Sequence, residues 1–433
     1  MKKITHPKRK TWEALAQRPQ LESQSLTETV REIFDAIARE GEQAVRQFTR
    51  QFDGVDQAVR PISEKRLEAA GSQLRPELRA AMALAERNIR KFHERQREKA
   101  REMETLRGVR CWRESRPIGR VGLYIPGGSA PLFSTVLMLG VPARLAGCPE
   151  VVLCSPPDRA GNIHPAVLHA AWLTGIRRVY AVGGVQAIAA MSLGAGSIPA
   201  VDKLFGPGNQ YVTAAKQYAQ QLGLAIDLPA GPSELLVVAD SSADPEFVAA
   251  DLLAQAEHGP DSQVLLVSDS AALVDQSLQA LNRQLALLPR SDIARQALQH
   301  SRALVFKTLD RCIEFSNLYA PEHLILAVKK PRKLTAAIQN AGSVFLGHYS
   351  CESAGDYASG TNHTLPTNGW ARNHSGVSLD SFVKKITFQE LSKNGLRRIG
   401  PAIEQMAEAE QLQAHKNAVS IRLRRLNQSK GAG

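Results

Sequence analysis

The sequence predicts an α/β protein built on two doubly wound parallel sheets, with helical extensions at both ends. Three observations carry this expectation. Strand-sized apolar runs alternate with helix-length patterns through the middle of the chain. Each run in the first half of that region stops at a Gly/Pro turn. The first hundred or so residues and the last fifty instead repeat their apolar residues at helical spacing. Strands that recur with helices between them make βαβ units, and βαβ units make parallel sheets.

In chain order, Leu26, Val30, Ile33, Phe34 and Ile37 share one face of a predicted helix, with Ser25 or Thr27 as its cap. Residues 77–104 read as a second long helix. Strands are then predicted at 121–125, 151–154, 178–182 and 203–205, followed by Pro-Gly-Gly, Ser-Pro-Pro, Gly-Gly and Gly-Pro-Gly. The alternation breaks at Leu228-Pro-Ala-Gly-Pro-Ser233 and restarts with strands at 235–239, 263–267, 303–306, 324–328 and 343–346. After about Phe382 the chain reads as helical again, through 403–418. The division that follows is a helical segment at 1–110, α/β domains at 111–230 and 231–380, and a helical arm at 381–433. With 433 residues, two or three domains are expected.

Composition narrows the function classes. Apolar residues are 43% and charged residues 22%, as in ordinary globular proteins. No apolar run reaches the roughly 18 residues of a membrane helix, and the basic start leads into no apolar leader segment. The five cysteines (Cys111, Cys148, Cys154, Cys312, Cys351) form no Cys-x-x-Cys pair and no disulfide framework, which suits a reducing cytoplasm. The formal charge of +12 sits at the ends: 24 Lys and Arg against 17 Asp and Glu in residues 1–110, and 10 against 4 in residues 381–433. Aromatics are 5%, and no nucleic-acid motif accompanies the charge, so neither nucleic acid nor a membrane is expected as a partner.

The predicted sheets are Rossmann-like but lack the Gly-x-Gly-x-x-Gly fingerprint. Gly194-Ala-Gly196 has Pro199 in the third glycine position. Three other glycine turns follow predicted strands, after Tyr124, at Val182-Gly-Gly-Val-Gln186 and at Phe205-Gly-Pro-Gly-Asn209. Such turns let a backbone approach a phosphate and aim a helix N-terminus at it, although ordinary βα turns use the same residues.

Four polar groupings carry chemistry. Gln255 and His258 are three apart at the end of a predicted helix over 246–257, so an amide oxygen and an imidazole share a face and could bind one metal ion. Glu322 and His323 interrupt an apolar approach to a predicted strand, and they are the usual proton-transfer residue types. Residues 352–366 form a glycine-rich polar loop with Asp356 and His363. Glu410 and His415 lie on the predicted C-terminal helix, five apart and therefore on different faces.

These residues sit in longer blocks: YIPGGSAPLFSTVLML (124–139), GGVQAIAA (183–190), VDKLFGPGN (201–209), DLPAGPSE (227–234), DLLAQAEHGPDSQ (251–263), APEHL (320–324), SAGDYASGTNH (353–363), LPT (365–367) and AHKNAV (414–419). In this order they resemble the histidinol dehydrogenase family. The resemblance implies oxidation of L-histidinol through L-histidinal to L-histidine with two NAD+. It implies zinc bound by Gln255, His258, Asp356 and His415, the last reaching in from the partner subunit of a homodimer. It implies Glu322 and His323 as the acid/base pair, His323 taking the alcohol proton and Glu322 activating water. Ser233, His363 and Glu410 join the zinc ligands and His323 in holding substrate, and Tyr124, Gln186 and Asn209 contact NAD. Cys351, Thr364 and the segment 370–376 depart from the family pattern at the rim of the site. A zinc- and NAD-dependent dehydrogenase of another alcohol, such as a sulfonated diol, would keep the zinc and Glu-His groups but change the substrate-holding residues.

Overall fold

The computed structural model describes residues 1–19, 24–127, 131–228 and 231–428, with backbone only at residues 24 and 25. Ser25 and Thr27, the expected caps, both lie inside the helix Gln24–Glu40 and so do not cap it, whereas the turn residue Gly128 and residues 229–230 of the expected domain break lie outside what is described. The chain divides into two units, residues 1–96 with 118–382, and residues 97–117 with 383–433.

The first unit holds two parallel sheets. One has five strands in the order Arg178–Ala181, Glu150–Ser155, Arg120–Tyr124, Lys203–Phe205, Ala225–Ile226. The chain starts in the centre, steps outward on one side, then returns to fill the other. The second has six strands in the order Lys2–Thr5, Arg302–Val305, Gln263–Ser268, Glu234–Ala239, His323–Ala327, Ser343–Leu346. Its last five strands repeat the order of the first sheet. The chain's own beginning is added at the far edge, where Lys2 pairs with Arg302.

Both sheets are covered by helices on both faces, which is why their strands are continuously apolar. Along Glu234–Ala239, Leu235 and Val237 pack with Val248 and Leu252 of the helix Pro245–Ala256. The alternate residues Leu236 and Val238 pack on the other face with Trp12, Phe306, Phe315 and Tyr319. In the five-stranded sheet, Leu123 faces Val136 and Leu139 of the helix Phe133–Ala146. Val152 and Leu204 face Val30, Ile33, Phe34 and Ile37, the helical face read from sequence.

The second unit is a three-stranded antiparallel sheet, Val383–Leu391, Val109–Pro117, Met103–Leu106, with an antiparallel pair of helices, Lys393–Ala409 and Gln413–Gln428. Gly400 lets the two helices approach closely, since a Cβ there would meet Leu423 Cδ1 at 2.8 Å.

Three sequence expectations change here. The first 110 residues are not all helix, because Lys2–Thr5 and Met103–Leu106 are strands and the second long helix, Pro76–Glu94, stops ten residues early. The chain after Phe382 begins with a strand of nine residues whose register with Val109–Pro117 is unbroken. Long-range pairing satisfies backbone groups that a local helix otherwise would. Finally, the expected helix over 403–418 is two helices. Gln411 takes a positive φ of 59°. The N–H of Leu412 returns to the carbonyl of Ala407 at 2.8 Å, a closing bond that ends the first helix. Among the described residues no helix is long and apolar enough to cross a membrane.

Candidate active site

The parallel register of two central strands brings Glu322 and His323 together. His323 pairs with Leu235, which sets Glu322 and His323 beside Glu234. The backbone of Glu234 then holds both. Its N–H donates to Glu322 Oε2 at 2.8 Å, and its carbonyl accepts from His323 Nδ1 at 3.2 Å. With Nδ1 as the donor, the basic nitrogen of His323 is Nε2, which is buried and has no hydrogen-bond partner.

Carboxylates surround that imidazole. Glu322 Oε2 lies 3.6 Å and Glu352 Oε1 3.9 Å from Nδ1, and Asp356 Oδ1 lies 3.6 Å from Nε2. Burial opposes the charged ring, but Glu352, Glu322 and Asp356 outweigh it and hold His323 well above the usual imidazole range. Burial pushes the Glu352 carboxyl well up, with Asp356 and Glu322 adding to the effect against the pull of His323. Asp356 stays below the ordinary range despite its burial, because His323, His363 and His258 face it. Glu234 is the one carboxylate of the group with a strong counterion. Arg18 grips it in a fork, with Nη2 to Oε2 at 2.8 Å, and lies 4.0 Å over the ring of Tyr319.

The remaining negative charge suits a cation. His258, Glu352 and Asp356 offer ligand atoms all within 4.8 Å of one another. Gln255 joins them from the last turn of the helix Pro245–Ala256, its side-chain amide turned to the Glu352 carboxylate. The helix stops at Ala256, so His258 lies in the turn beyond it and not on the helical face expected from sequence. A second helix, Leu309–Tyr319, ends just before Glu322, with Ala320 at φ 55°. Both helices bring their C-termini, the negative ends of their dipoles, to this cluster. Asp356 sits on a short helix, Glu352–Tyr357, where a loop was expected. Exposed Cys351 precedes that helix. Ser233, Glu322, His363 and Thr364 line a small cavity of about 50 Å³ beside the pair. Burial lowers the pKa of His363, and its Nε2 is also without a partner.

Seven of the residues singled out from sequence thus gather in the first unit: Ser233, Gln255, His258, Glu322, His323, Asp356 and His363. Glu410 and His415 are exposed residues of the second unit, Glu410 capping one helix and His415 in the next. Glu234, Glu352 and Arg18 were not singled out. Glu352 lay within a polar loop already noticed, whereas Glu234 acts largely through its backbone, which leaves no trace in residue identity.

The five-stranded sheet carries a different feature. A cavity of about 610 Å³ opens at the carboxyl ends of its strands, lined in part by Tyr124, Gln186 and Asn209. Tyr124 ends its strand, and its hydroxyl accepts from the Gly184 N–H at 3.1 Å. Asn209 caps the helix Gln210–Gln221, accepting from the N–H groups of Tyr211 and Val212 at 3.1 Å. Gln186 donates to Asp53 Oδ2 at 3.2 Å and keeps a buried, unpartnered Oε1. Gly206 is required in the turn before Asn209. At φ 127° it packs on the carbonyl of Tyr124, where a Cβ would collide.

A family model, histidinol dehydrogenase, matches residues 16–423. The chain is 54% identical over 426 residues to histidinol dehydrogenase of Bacteroides thetaiotaomicron, covering 98% of this chain and 100% of the relative. It is 53% identical over 408 residues to that of Escherichia coli O157:H7, covering 94% and 93%. A crystal structure of histidinol dehydrogenase from Elizabethkingia anophelis superposes with a TM-score of 0.97 at 56% identity, covering 99% of each chain. The chain belongs to the histidinol dehydrogenase family, oxidoreductases of histidine biosynthesis.

Proposed function

We propose that this chain oxidises L-histidinol through L-histidinal to L-histidine, with two NAD+ as hydride acceptors and zinc as a resident metal. The observation that carries the reading is the buried His323, whose Nδ1 is committed to the Glu234 carbonyl while Nε2 makes no hydrogen bond and faces Asp356 Oδ1 at 3.6 Å. The two sheets act as Rossmann-like halves, the half with the five-stranded sheet holding NAD and the half with the six-stranded sheet holding zinc and substrate; residues 111–117 of the expected first domain belong instead to the second unit.

Gln255, His258 and Asp356 hold zinc, and the donor set of amide, imidazole and carboxylate fits a divalent ion. His415, exposed in the single chain, supplies the fourth ligand to the partner subunit of a homodimer. Bound zinc supplies positive charge that fixes the amine and imidazole of the substrate. Ser233, His363 and Glu410 orient the substrate with the zinc ligands and His323. Tyr124, Gln186 and Asn209 contact the dinucleotide, which when bound accepts one hydride in each oxidation.

His323 Nε2 takes the proton of the alcohol while Nδ1 stays committed to the Glu234 carbonyl. A divalent cation held by these carboxylates would offset their pull on His323 and leave the ring free to act as a base. Glu322, fixed by the Glu234 N–H, activates the water that hydrates the aldehyde. One site serving both oxidations explains two proton-handling groups side by side.

NADH formed per L-histidinol tests this directly. Two NADH, abolished by chelation and restored by zinc, are expected; no NADH from folded, metal-loaded protein overturns the reading. Mixing an Asp356→Ala chain with a His415→Ala chain tests the shared site. Random hybrid dimers regain about a quarter of wild-type activity if His415 serves the partner, and none if it serves its own chain.

A further inference from the structure

Asp53 is the one carboxylate among the described residues that line the cavity at the carboxyl ends of the five-stranded sheet, and no Lys, Arg or His lines it. It ends the helix Glu42–Asp53, from the N-terminal part of the chain, and Gly54 turns the backbone away at φ 72°. Its Oδ2 is held by Gln186 Nε2 at 3.2 Å, and among the described residues no ion pair engages it. Phe52 and Tyr211, each roughly half exposed, line the same cavity and offer flat apolar faces to a base. The helices Gly184–Leu193 and Gln210–Gln221 both start at this cavity, so Gly184 and Asn209 bring two positive dipole ends to it.

A fixed carboxylate among neutral walls favours one ligand group and opposes another. The two neighbouring hydroxyls of a ribose donate to the two oxygens of a carboxylate, and such charge-assisted bonds are the stronger kind. A phosphate in the same place puts two negative charges together with no basic side chain to offset them. We propose that Asp53 is a specificity-determining residue that accepts the adenosine ribose hydroxyls of the dinucleotide and excludes a 2′-phosphate, so that NAD+ is used and NADP+ is not. The proposal rests on reading this cavity as the dinucleotide site. The push of the Asp53 carboxyl to about 6 by burial agrees with a carboxylate that lacks a cation.

Titration calorimetry of the intact protein with NAD+ and with NADP+ tests it, together with L-histidinol turnover on each. In the wild type, NADP+ should bind at least about 100-fold more weakly. Asp53→Asn should weaken NAD+ by about tenfold, mostly through KM, and narrow the NAD+/NADP+ ratio by at least about 30-fold. An unchanged ratio, or an equal loss for both cofactors, overturns the proposal. A second measurement needs no variant: 2′-deoxy-NAD+ should bind the wild type about tenfold more weakly than NAD+. Equal binding of the two overturns the proposal. If neither NAD+ nor NADP+ binds, the reading of the cavity fails and the proposal with it. If NAD+ binds and the ratio ignores Asp53, only the proposal fails.

Discussion

The two parallel sheets share one strand order yet carry their features on opposite edges. In the five-stranded sheet the cavity lies at the carboxyl ends of the strands: Tyr124 is the last residue of its strand, and Asn209 follows Phe205. In the six-stranded sheet the cluster lies at the amino ends, where Glu234 and His323 are the first residues of their strands. The helix dipole explains what each edge suits. A carboxyl edge meets helix N-termini and favours anions, whereas an amino edge meets helix C-termini and favours cations. The lesson is that one topology supplies two electrostatically opposite surfaces, and side chains decide which is used.

Breaking the amino edge should have the largest effect. His323→Gln should lower L-histidinol oxidation by about 10²- to 10⁴-fold while metal content by mass spectrometry is unchanged. A variant within tenfold of wild type would remove His323 from the chemistry.

The carboxyl edge should fail through stability instead. Lys216 and Asp227 form a buried ion pair under the Gly206 turn, with Lys216 Nζ also donating to the Gly206 carbonyl at 2.8 Å. Asp227 Oδ2 accepts from the Gly206 N–H at 2.8 Å. Lys216→Met strands a buried carboxylate and should cost about 3–5 kcal/mol, measured by denaturant unfolding. A loss below about 1 kcal/mol would show that the pair does not hold this edge together.

A smaller effect sharpens the contrast. Glu352 offers a ligand atom to the cluster beside His258 and Asp356, so Glu352→Gln should weaken zinc binding by about 10- to 100-fold in a competition assay. If the two edges bind independently, chelation should leave the Kd for NAD+ within about twofold. A large change in NAD+ affinity on chelation would tie them together.

The smallest effect concerns pH. Burial raises the Asp53 carboxyl to about 6, so the folded chain takes up this proton more readily than the unfolded one. The associated stability is complete below the ordinary carboxylate pKa near ~4 and is lost as pH rises through about 6. Asp53→Asn should therefore raise Tm at pH 8 by on the order of 1–2 °C and have less effect at pH 5. Equal shifts at both pH values would assign the change to packing.

The sequence by itself determined the nine strands read from it and the family to which the chain belongs. Strands such as Glu234–Ala239 are covered on both faces, so their apolar character is continuous and visible without a structure. The glycine turns and polar groupings also announced themselves, because Gly, His and carboxylates are costly or unusual in such surroundings. Tertiary structure decided the rest. Val109–Pro117 and Val383–Leu391 are rich in charge, and only their mutual pairing makes them strands. The strand at Lys2–Thr5 exists because Arg302–Val305, three hundred residues later, offers an open edge. The role of Glu234 follows from a register that sets its backbone against Glu322 and His323, and a backbone amide is the same in every residue but proline. Which edge of a sheet becomes a site depends on where helices end in space, a property of the assembled fold and not of any local run of residues.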